Sequence, residues 1–286
     1  LPTLKNNKSF NHYESDYVFL ALPHGVSNKY VKEYYSKINI IDLSADFRLD
    51  DYDMYKSNYD DNHSCKEYLT KFVYGLPEIN RERILNSKNI AIPGCYPTSI
   101  LLPLIPLIKD NLINSKSIII DSKSGYSGAG KKFDLKNIKS KYDYNFYNYN
   151  TNSHRHIAEI KQELLKFSIK NEVLFSFNPH ILPNFRGMMS TIYCDLNNGI
   201  NKSDILTKLE NFQSKNPFIK LIENTEKFDF FSIQNSNFCK VKLFDHPDKN
   251  KIIIVSLIDN LIKGAAGQAV QCFNIAENIN ETTALL

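Results

Sequence analysis

The chain has 286 residues, long enough for two domains with separate cores, because a single core stops growing at roughly 250 to 300 residues. Hydrophobic residues make up 42% and charged residues 23%, an ordinary balance for a globular protein, and no apolar run approaches the ~20 residues that cross a bilayer. The net charge of +4 comes from 35 basic against 31 acidic side chains spread without a basic block, which disfavours nucleic-acid binding and leaves room for a small anionic substrate.

Five cysteines, Cys65, Cys95, Cys194, Cys239 and Cys272, are widely separated, with no Cys-x-x-Cys pair and no clustered His/Cys spacing. No metal is expected, and a reducing cytoplasm is the simplest setting. The first residues, Leu1 to Lys8, carry no initiator Met and neither a signal nor a transit pattern, so a truncated chain is expected rather than a targeted one.

Tyr17 to Leu22 is a short apolar run closed by Pro23-His24-Gly25, the pattern of a strand buried on both faces of a parallel sheet. A helix follows, with Ser27 as its cap and Tyr30, Val31, Tyr34 and Tyr35 on one face. Ile38 to Leu43 is the next strand; Ile90 to Ile92 leads through the Gly94 turn into a helix from about Pro97 to Lys109. This alternation indicates an α/β sheet. Ser117 to Asp121 is then a strand, and a Gly/Ser/Lys loop runs from Ser122 to Lys132. After a helix starting near His156, the strand-like runs are Val173 to Asn178, Gly187 to Leu196, Phe218 to Ile222, Cys239 to Phe244 and Lys251 to Ile258, with a helix from Ser203 to Ser214. These make a largely antiparallel α+β domain covered on one face. Gly264 to Gln271 opens a final helix, expected to return to the first domain.

Pro93-Gly94-Cys95-Tyr96-Pro97-Thr98 puts a cysteine on a glycine turn at the threshold of a helix. The helix dipole and free amides there lower a thiol's pKa from about 8.5 and can hold an oxyanion. A small buried cysteine without chemistry is the competing reading. In Ser153-His154-Arg155-His156-Ile157-Ala158-Glu159, His156 and Glu159 share a helix face, so the carboxylate could orient the imidazole, and Arg155 offers a fixed cation; a capping cluster is the alternative. The Ser122 to Lys132 loop suits an anion but lacks the Walker spacing. Asp42 to Arg48 follows a strand and could face a ligand, or Asp46 and Arg48 could form a surface pair; His180 and Arg186 add one more imidazole and guanidinium.

Taken in order, several segments resemble the N-acetyl-gamma-glutamyl-phosphate reductase family, a relative of aspartate-semialdehyde dehydrogenase. They are Phe19 to Gly25, Asp42 to Arg48, Tyr74-Gly75-Leu76-Pro77-Glu78, Pro93 to Thr98, Asp121 to Gly130, His154 to Ile160, His180-Ile181-Leu182-Pro183 and Asp259 to Ala269. The resemblance implies a Rossmann-type parallel-sheet domain, incomplete at its N-terminus, at residues 1–96 and 264–286, and an α+β domain with a mostly antiparallel sheet at 97–263. It implies Cys95 as attacking thiolate and His156 as acid–base residue, with Glu159 in the catalytic set. Arg155, His154, Ser124, Arg48 and Arg186 would contact substrate. Leu22, Pro23, His24, Gly25, Ser44, Gly94, Ser127, Gly128, Asn260 and Gln268 would contact NADP(H).

By this resemblance Cys95 displaces phosphate from N-acetyl-gamma-glutamyl phosphate, a small anionic acyl phosphate of arginine biosynthesis. Hydride from NADPH reduces the thioester to a thiohemiacetal, which collapses to the semialdehyde. A homodimer or homotetramer is implied. The family's first strand, Gly-rich turn and helix are absent here, which is expected to leave the parallel sheet with an uncovered centre and to weaken NADP binding. The competing readings are a reductase of aspartyl or carrier-linked glutamyl or aminoadipyl phosphate, a cysteine hydrolase or acyltransferase without nicotinamide, and an inactive fragment.

Overall fold

A computed structural model of the chain describes residues 11, 14–59, 62–128, 145–223 and 225–286. Its first sheet is parallel throughout and has four strands in the order β1 (Tyr17–Leu20), β2 (Asn39–Asp42), β4 (Asn89–Ala91) and β3 (Val73–Tyr74). Neighbouring side chains on a strand point to opposite faces, and both faces are covered here. On β2, Ile40 joins a core with Leu20, Val31, Phe47, Leu69 and Phe72, while Ile41 joins another with Ile84, Ile90, Ile92 and Cys272. Helix α1 (Ser27–Tyr34) lies on the first of these faces and α3 (Pro77–Leu85) on the second, with α2 (Tyr52–Tyr59) between β2 and β3 in the chain. Ser27 does not cap α1: its hydroxyl donates to Asp42 Oδ1 at 2.8 Å. Among the described residues β1 is an edge of this sheet, with Phe19 43% exposed.

The second sheet has seven strands in the order β6 (Tyr147–Asn148), β7 (Phe175–Leu182), β5 (Ile118–Gly125), β8 (Met188–Asp195), β11 (Lys251–Ile258), β10 (Cys239–Asp245) and β9 (Ile219–Leu221). Two pairings, β5 with β7 and β9 with β10, are parallel and the others antiparallel. Strand β5 outruns its expected end at Asp121, because Ser122 to Gly125 pair with β7 on one side and Ser122 to Ser124 with β8 on the other. Residues whose side chains usually signal a loop are thus held in the strand by backbone ladder hydrogen bonds.

One face of this sheet is packed. Ile118, Ile120 and Ile192 point inward against α4 (Cys95–Lys109), α5 (His156–Leu165) and α6 (Lys202–Gln213). Every residue of α4 from Tyr96 to Ile108 is buried, as expected of a helix apolar all round, and that packing tolerates Pro103 and Pro106 inside it. Asn201 caps α6 in a capping box with Asp204, which starts the helix at Lys202. After β11, a π-helical turn (Ile262–Ala266) leads into α7 (Gly267–Ala276). This helix returns to the parallel sheet, where Ala269, Cys272 and Ile275 complete the core around Ile41 and Ile90. Among the described residues, no helix is long and apolar enough to cross a membrane.

Candidate active site

The chain leaves β4, turns at Gly94 and enters α4, whose first residue is Cys95. A β-carbon on Gly94 would stand 2.5 Å from His156 Nε2 and 3.0 Å from Arg48 Nη1. One on Gly264 would stand 2.7 Å from the β-carbon of Cys95. Glycine at both positions lets the start of α5 and the π-helical turn close around the thiol. Of the five free cysteines, Cys95 alone is partly exposed; the other four are buried.

The expected lowering of the thiol pKa is not found. Burial raises the Cys95 thiol above its ordinary value, opposed by the Arg48 charge, the Tyr96 amide at the helix start and the Arg155 charge. Burial also holds His156 well below the ordinary imidazole range, and His154, Arg48 and Arg155 push the same way. The resting thiol and imidazole are therefore both neutral. His156 Nδ1 has no partner among the described residues. His154 acts locally as a cap: its Nδ1 accepts the His156 amide at 3.1 Å, and burial followed by the Arg155 charge lowers it to about 4.

Glu159 does not orient the imidazole. Its Oε1 accepts the Tyr74 hydroxyl at 2.7 Å and the Gly94 amide at 2.9 Å, and its Oε2 lies 3.5 Å from Arg48 Nη1. Arg48 does not pair with Asp46: it is buried, donating from Nε to the Ile92 carbonyl at 2.8 Å and from Nη2 to the Leu43 carbonyl at 2.9 Å. Both side chains brace the turn beneath Cys95. Arg186 is likewise committed, to Asn235 Oδ1 at 2.5 Å and to Asp259 at 3.4 Å.

Arg155 differs from these. It has no carboxylate partner among the described residues and lines a cavity of about 500 Å³ with His154, Tyr149, Asn58 and Gly128. Across that cavity, Gly128 packs on Ser124, whose Oγ would lie 2.7 Å from a β-carbon there, and Asn260 Nδ2 donates to Ser127 Oγ at 2.9 Å. Ser124, Ser127, Gly128 and Asn260 thus come together. Residues Ala129 to Lys132 of the expected anion loop lie outside the described residues.

Leu22, Pro23, His24 and Gly25 follow the carboxyl end of β1, and Ser44 follows that of β2, the edge where open parallel sheets take ligands. Gly25 has a φ of +80°, which favours glycine, and its amide donates to Asp46 Oδ1 at 2.8 Å. His24 stacks on Tyr59 with ring centres 4.3 Å apart. The Ser44 hydroxyl donates to Asp42 Oδ2 at 2.7 Å, and burial pushes Asp42 up to about 6. Gln268 is fully buried, and neither atom of its amide has a partner among the described residues. Sequence patterns gave no role to Tyr74, Tyr149, Asn58 or Tyr59. Only Tyr74 carried a signal, the Tyr-Gly-Leu-Pro-Glu run.

Two family models match the chain: "Semialdehyde dehydrogenase, NAD binding domain" over residues 2–87 and "Semialdehyde dehydrogenase, dimerisation domain" over residues 95–260. The N-acetyl-gamma-glutamyl-phosphate reductase of Caldicellulosiruptor bescii is 46% identical over 275 residues, covering 96% of this chain and 79% of its own. The chain belongs to the N-acetyl-gamma-glutamyl-phosphate reductase family. The reductase of that name from Ehrlichia ruminantium is 44% identical over 95% of this chain and 78% of its own length. A chloroplastic protein of Arabidopsis thaliana named as a probable reductase of this kind is 41% identical over the whole chain and 71% of its own. Among solved structures, aspartate semialdehyde dehydrogenase II from Vibrio cholerae shares the fold, with a TM-score of 0.73 at 17% identity over 96% of this chain and 83% of that one.

Members of this reductase family are oxidoreductases, and the matched domain gives this chain a nicotinamide cofactor and the other an associating surface. The residues present fit such a cofactor: an orphaned buried amide at Gln268 stands ready for a hydrogen-bonding group, and Gly94, Gly128 and Gly264 keep side chains out of the space around Cys95, Ser124 and Asn260.

Proposed function

We propose that this chain converts N-acetyl-gamma-glutamyl phosphate to N-acetyl-glutamate semialdehyde and phosphate, a step of arginine biosynthesis, through a thioester on Cys95. The observation that carries the assignment is that the one partly exposed cysteine opens a helix at a glycine turn against which His156 Nε2 closes. A neutral His156 takes the proton of the neutral thiol, and the sulfur attacks the acyl carbon. The C–O bond to phosphate breaks, and phosphate leaves with its electron pair. At the start of α4, Pro97 has no N–H and the Thr98 amide is bonded to the Gly94 carbonyl, so the Cys95 amide is the backbone donor for the oxygen that gains charge. A bound nicotinamide dinucleotide supplies the hydride that reduces the thioester. His156 then gives and takes the proton at that oxygen as the carbon–sulfur bond breaks and the thiolate is released.

Arg155 is the cation for the substrate's anionic end, with His154 and Ser124 beside it. NADP(H) is the cofactor form we assign, held by Leu22, Pro23, His24, Gly25, Ser44, Gly94, Ser127, Gly128, Asn260 and Gln268. We divide the chain into a cofactor part, residues 1–96 and 264–286, and a substrate part, 97–263; the return of α7 to the parallel sheet supports the division. Cysteines that are all free support a cytoplasmic setting.

Association as a homodimer or homotetramer is supported by the open face of the seven-stranded sheet. Ile119, Tyr193, Ile253 and Phe244 stand in one row across β5, β8, β11 and β10, with Ile119 54% and Tyr193 39% exposed. The function is tested by supplying the acyl phosphate and NADPH and following NADPH oxidation with phosphate release. Release of phosphate without aldehyde, unchanged by NADPH, would identify a hydrolase instead.

A further inference from the structure

Tyr74 ends β3 and is buried, and burial together with the Glu159 charge raises its phenol well above the ordinary range, so it remains a hydrogen-bond donor. Its hydroxyl and the Gly94 amide meet on one oxygen of Glu159, at 2.7 and 2.9 Å. At the other end of the same residue, the Gly94 carbonyl accepts the Thr98 amide at 3.0 Å and the Thr98 hydroxyl at 3.1 Å. The residue before Cys95 is thereby fastened on both sides, by the helix it opens and by a carboxylate from α5. That carboxylate is fully buried and is set in place by Tyr74 on one side and Arg48 on the other.

We infer that Tyr74 is a positioning residue for the reaction at Cys95, acting through Glu159 on the Gly94 turn. The inference rests on Cys95 as the nucleophile. A buried carboxylate near a sulfur that must become anionic is a liability, because like charge opposes the thiolate. The groups facing Cys95 are Arg48 from the loop after β2, Arg155, His156 and Glu159 around the start of α5, and the phenols of Tyr96 on α4 and Tyr149 after β6; burial raises the thiol most, and the Glu159 charge adds to it. Two donors, the Tyr74 hydroxyl and the Gly94 amide, fix one oxygen of that carboxylate and so aim the turn, while the Arg48 guanidinium lies 3.5 Å from the other and offsets its charge. Removing the phenol oxygen leaves Glu159 Oε1 with the Gly94 amide as its remaining donor.

The test is Tyr74→Phe, which keeps the buried ring and deletes one donor. Phosphate release from the acyl phosphate is followed in a single turnover without NADPH, and alkylation of Cys95 by iodoacetamide is followed against pH by the mass of its peptide. Hydrogen bonds to charged groups contribute enough that we expect acylation to slow on the order of 10-fold with the substrate concentration dependence nearly unchanged. The alkylation midpoint is expected to move upward. In a Glu159→Gln background, Tyr74→Phe is expected to change neither readout further. Wild-type acylation with an unmoved midpoint overturns the inference, as does a loss that persists in full in the Glu159→Gln background. Cys95→Ser separates the two readings: full acylation in that variant removes the nucleophile assignment itself, whatever Tyr74 does. If Tyr74→Phe does not fold, Glu159→Gln alone decides: slower acylation with a lowered alkylation midpoint supports the brace, and no change in either overturns it.

Discussion

A β-carbon on Gly94 would stand 2.5 Å from His156 Nε2, so the residue before Cys95 has to lack a side chain for the imidazole to reach the thiol's neighbourhood. Gly94→Ala is therefore expected to displace His156 or Arg48. Losing a positioned general base costs on the order of 100-fold. We expect the turnover of Gly94→Ala to fall by about that factor and the melting temperature to fall as well, because overpacking a buried site costs about 1 to 3 kcal/mol. Steady-state rates alongside a thermal melt check this, and a wild-type turnover would contradict it.

The resting charge state leads to a pH prediction for reactivity. The Cys95 thiol is raised by burial and His156 is depressed by burial, so both are neutral at pH 7. Iodoacetamide reacts with the thiolate, so the midpoint of Cys95 alkylation in the free enzyme should lie above the ordinary thiol value of about 8.5. A midpoint near neutrality would show a preformed thiolate and remove the need for proton transfer to His156.

Stability should be sensitive to acid for a related reason. The folded His154 titrates at about 4, below the ordinary value of about 6.5, so the unfolded chain binds more protons in that interval. Stability is then full above pH 6.5 and falls as pH drops toward 4, by roughly 3 kcal/mol for this residue. Urea unfolding at a series of pH values measures the slope, which His154→Gln should reduce.

The two sheets are tied by a buried ion pair. Lys263, from the π-helical turn, is fully buried and donates to Glu78 Oε1 at 2.6 Å on α3 and to Gln271 Oε1 at 2.7 Å on α7. Breaking such a pair by removing one partner costs about 3 to 5 kcal/mol, because a charge is left uncompensated. Lys263→Met should lose stability in that range, and adding Glu78→Gln should restore part of it. A single variant as stable as the parent in urea would contradict this.

Much of the fold was legible because burial leaves a period in the sequence. Ile118 and Ile120 point inward while Ile119 points out, and the unbroken apolar run at Ile40-Ile41 is explained by cores on both faces of β2. Cys95 was legible because a glycine turn entering a helix is a local pattern. Glu159 and Arg48 were not: the groups they bind, Tyr74, Gly94, Leu43 and Ile92, lie on other elements, mostly tens of residues away in the chain, and no local spacing encodes them. Ser122 to Gly125 has the composition of a loop and became strand through its two neighbours.

The row of Ile119, Tyr193, Ile253 and Phe244 gives a prediction for assembly. A charge buried in an associated apolar face carries a desolvation cost, so Tyr193→Asp should shift the chain toward a monomer, seen by light scattering, and reduce turnover only to the extent that association supports the site. An unchanged molar mass would place the interface elsewhere.

The thioester on Cys95 is measured most directly by mass spectrometry of the chain quenched in acid after mixing with N-acetyl-gamma-glutamyl phosphate without NADPH. One acyl group is expected on the Cys95 peptide, matched by a single released phosphate per chain, and neither in Cys95→Ser. An acyl group on another residue, or phosphate release undiminished in Cys95→Ser, would contradict it.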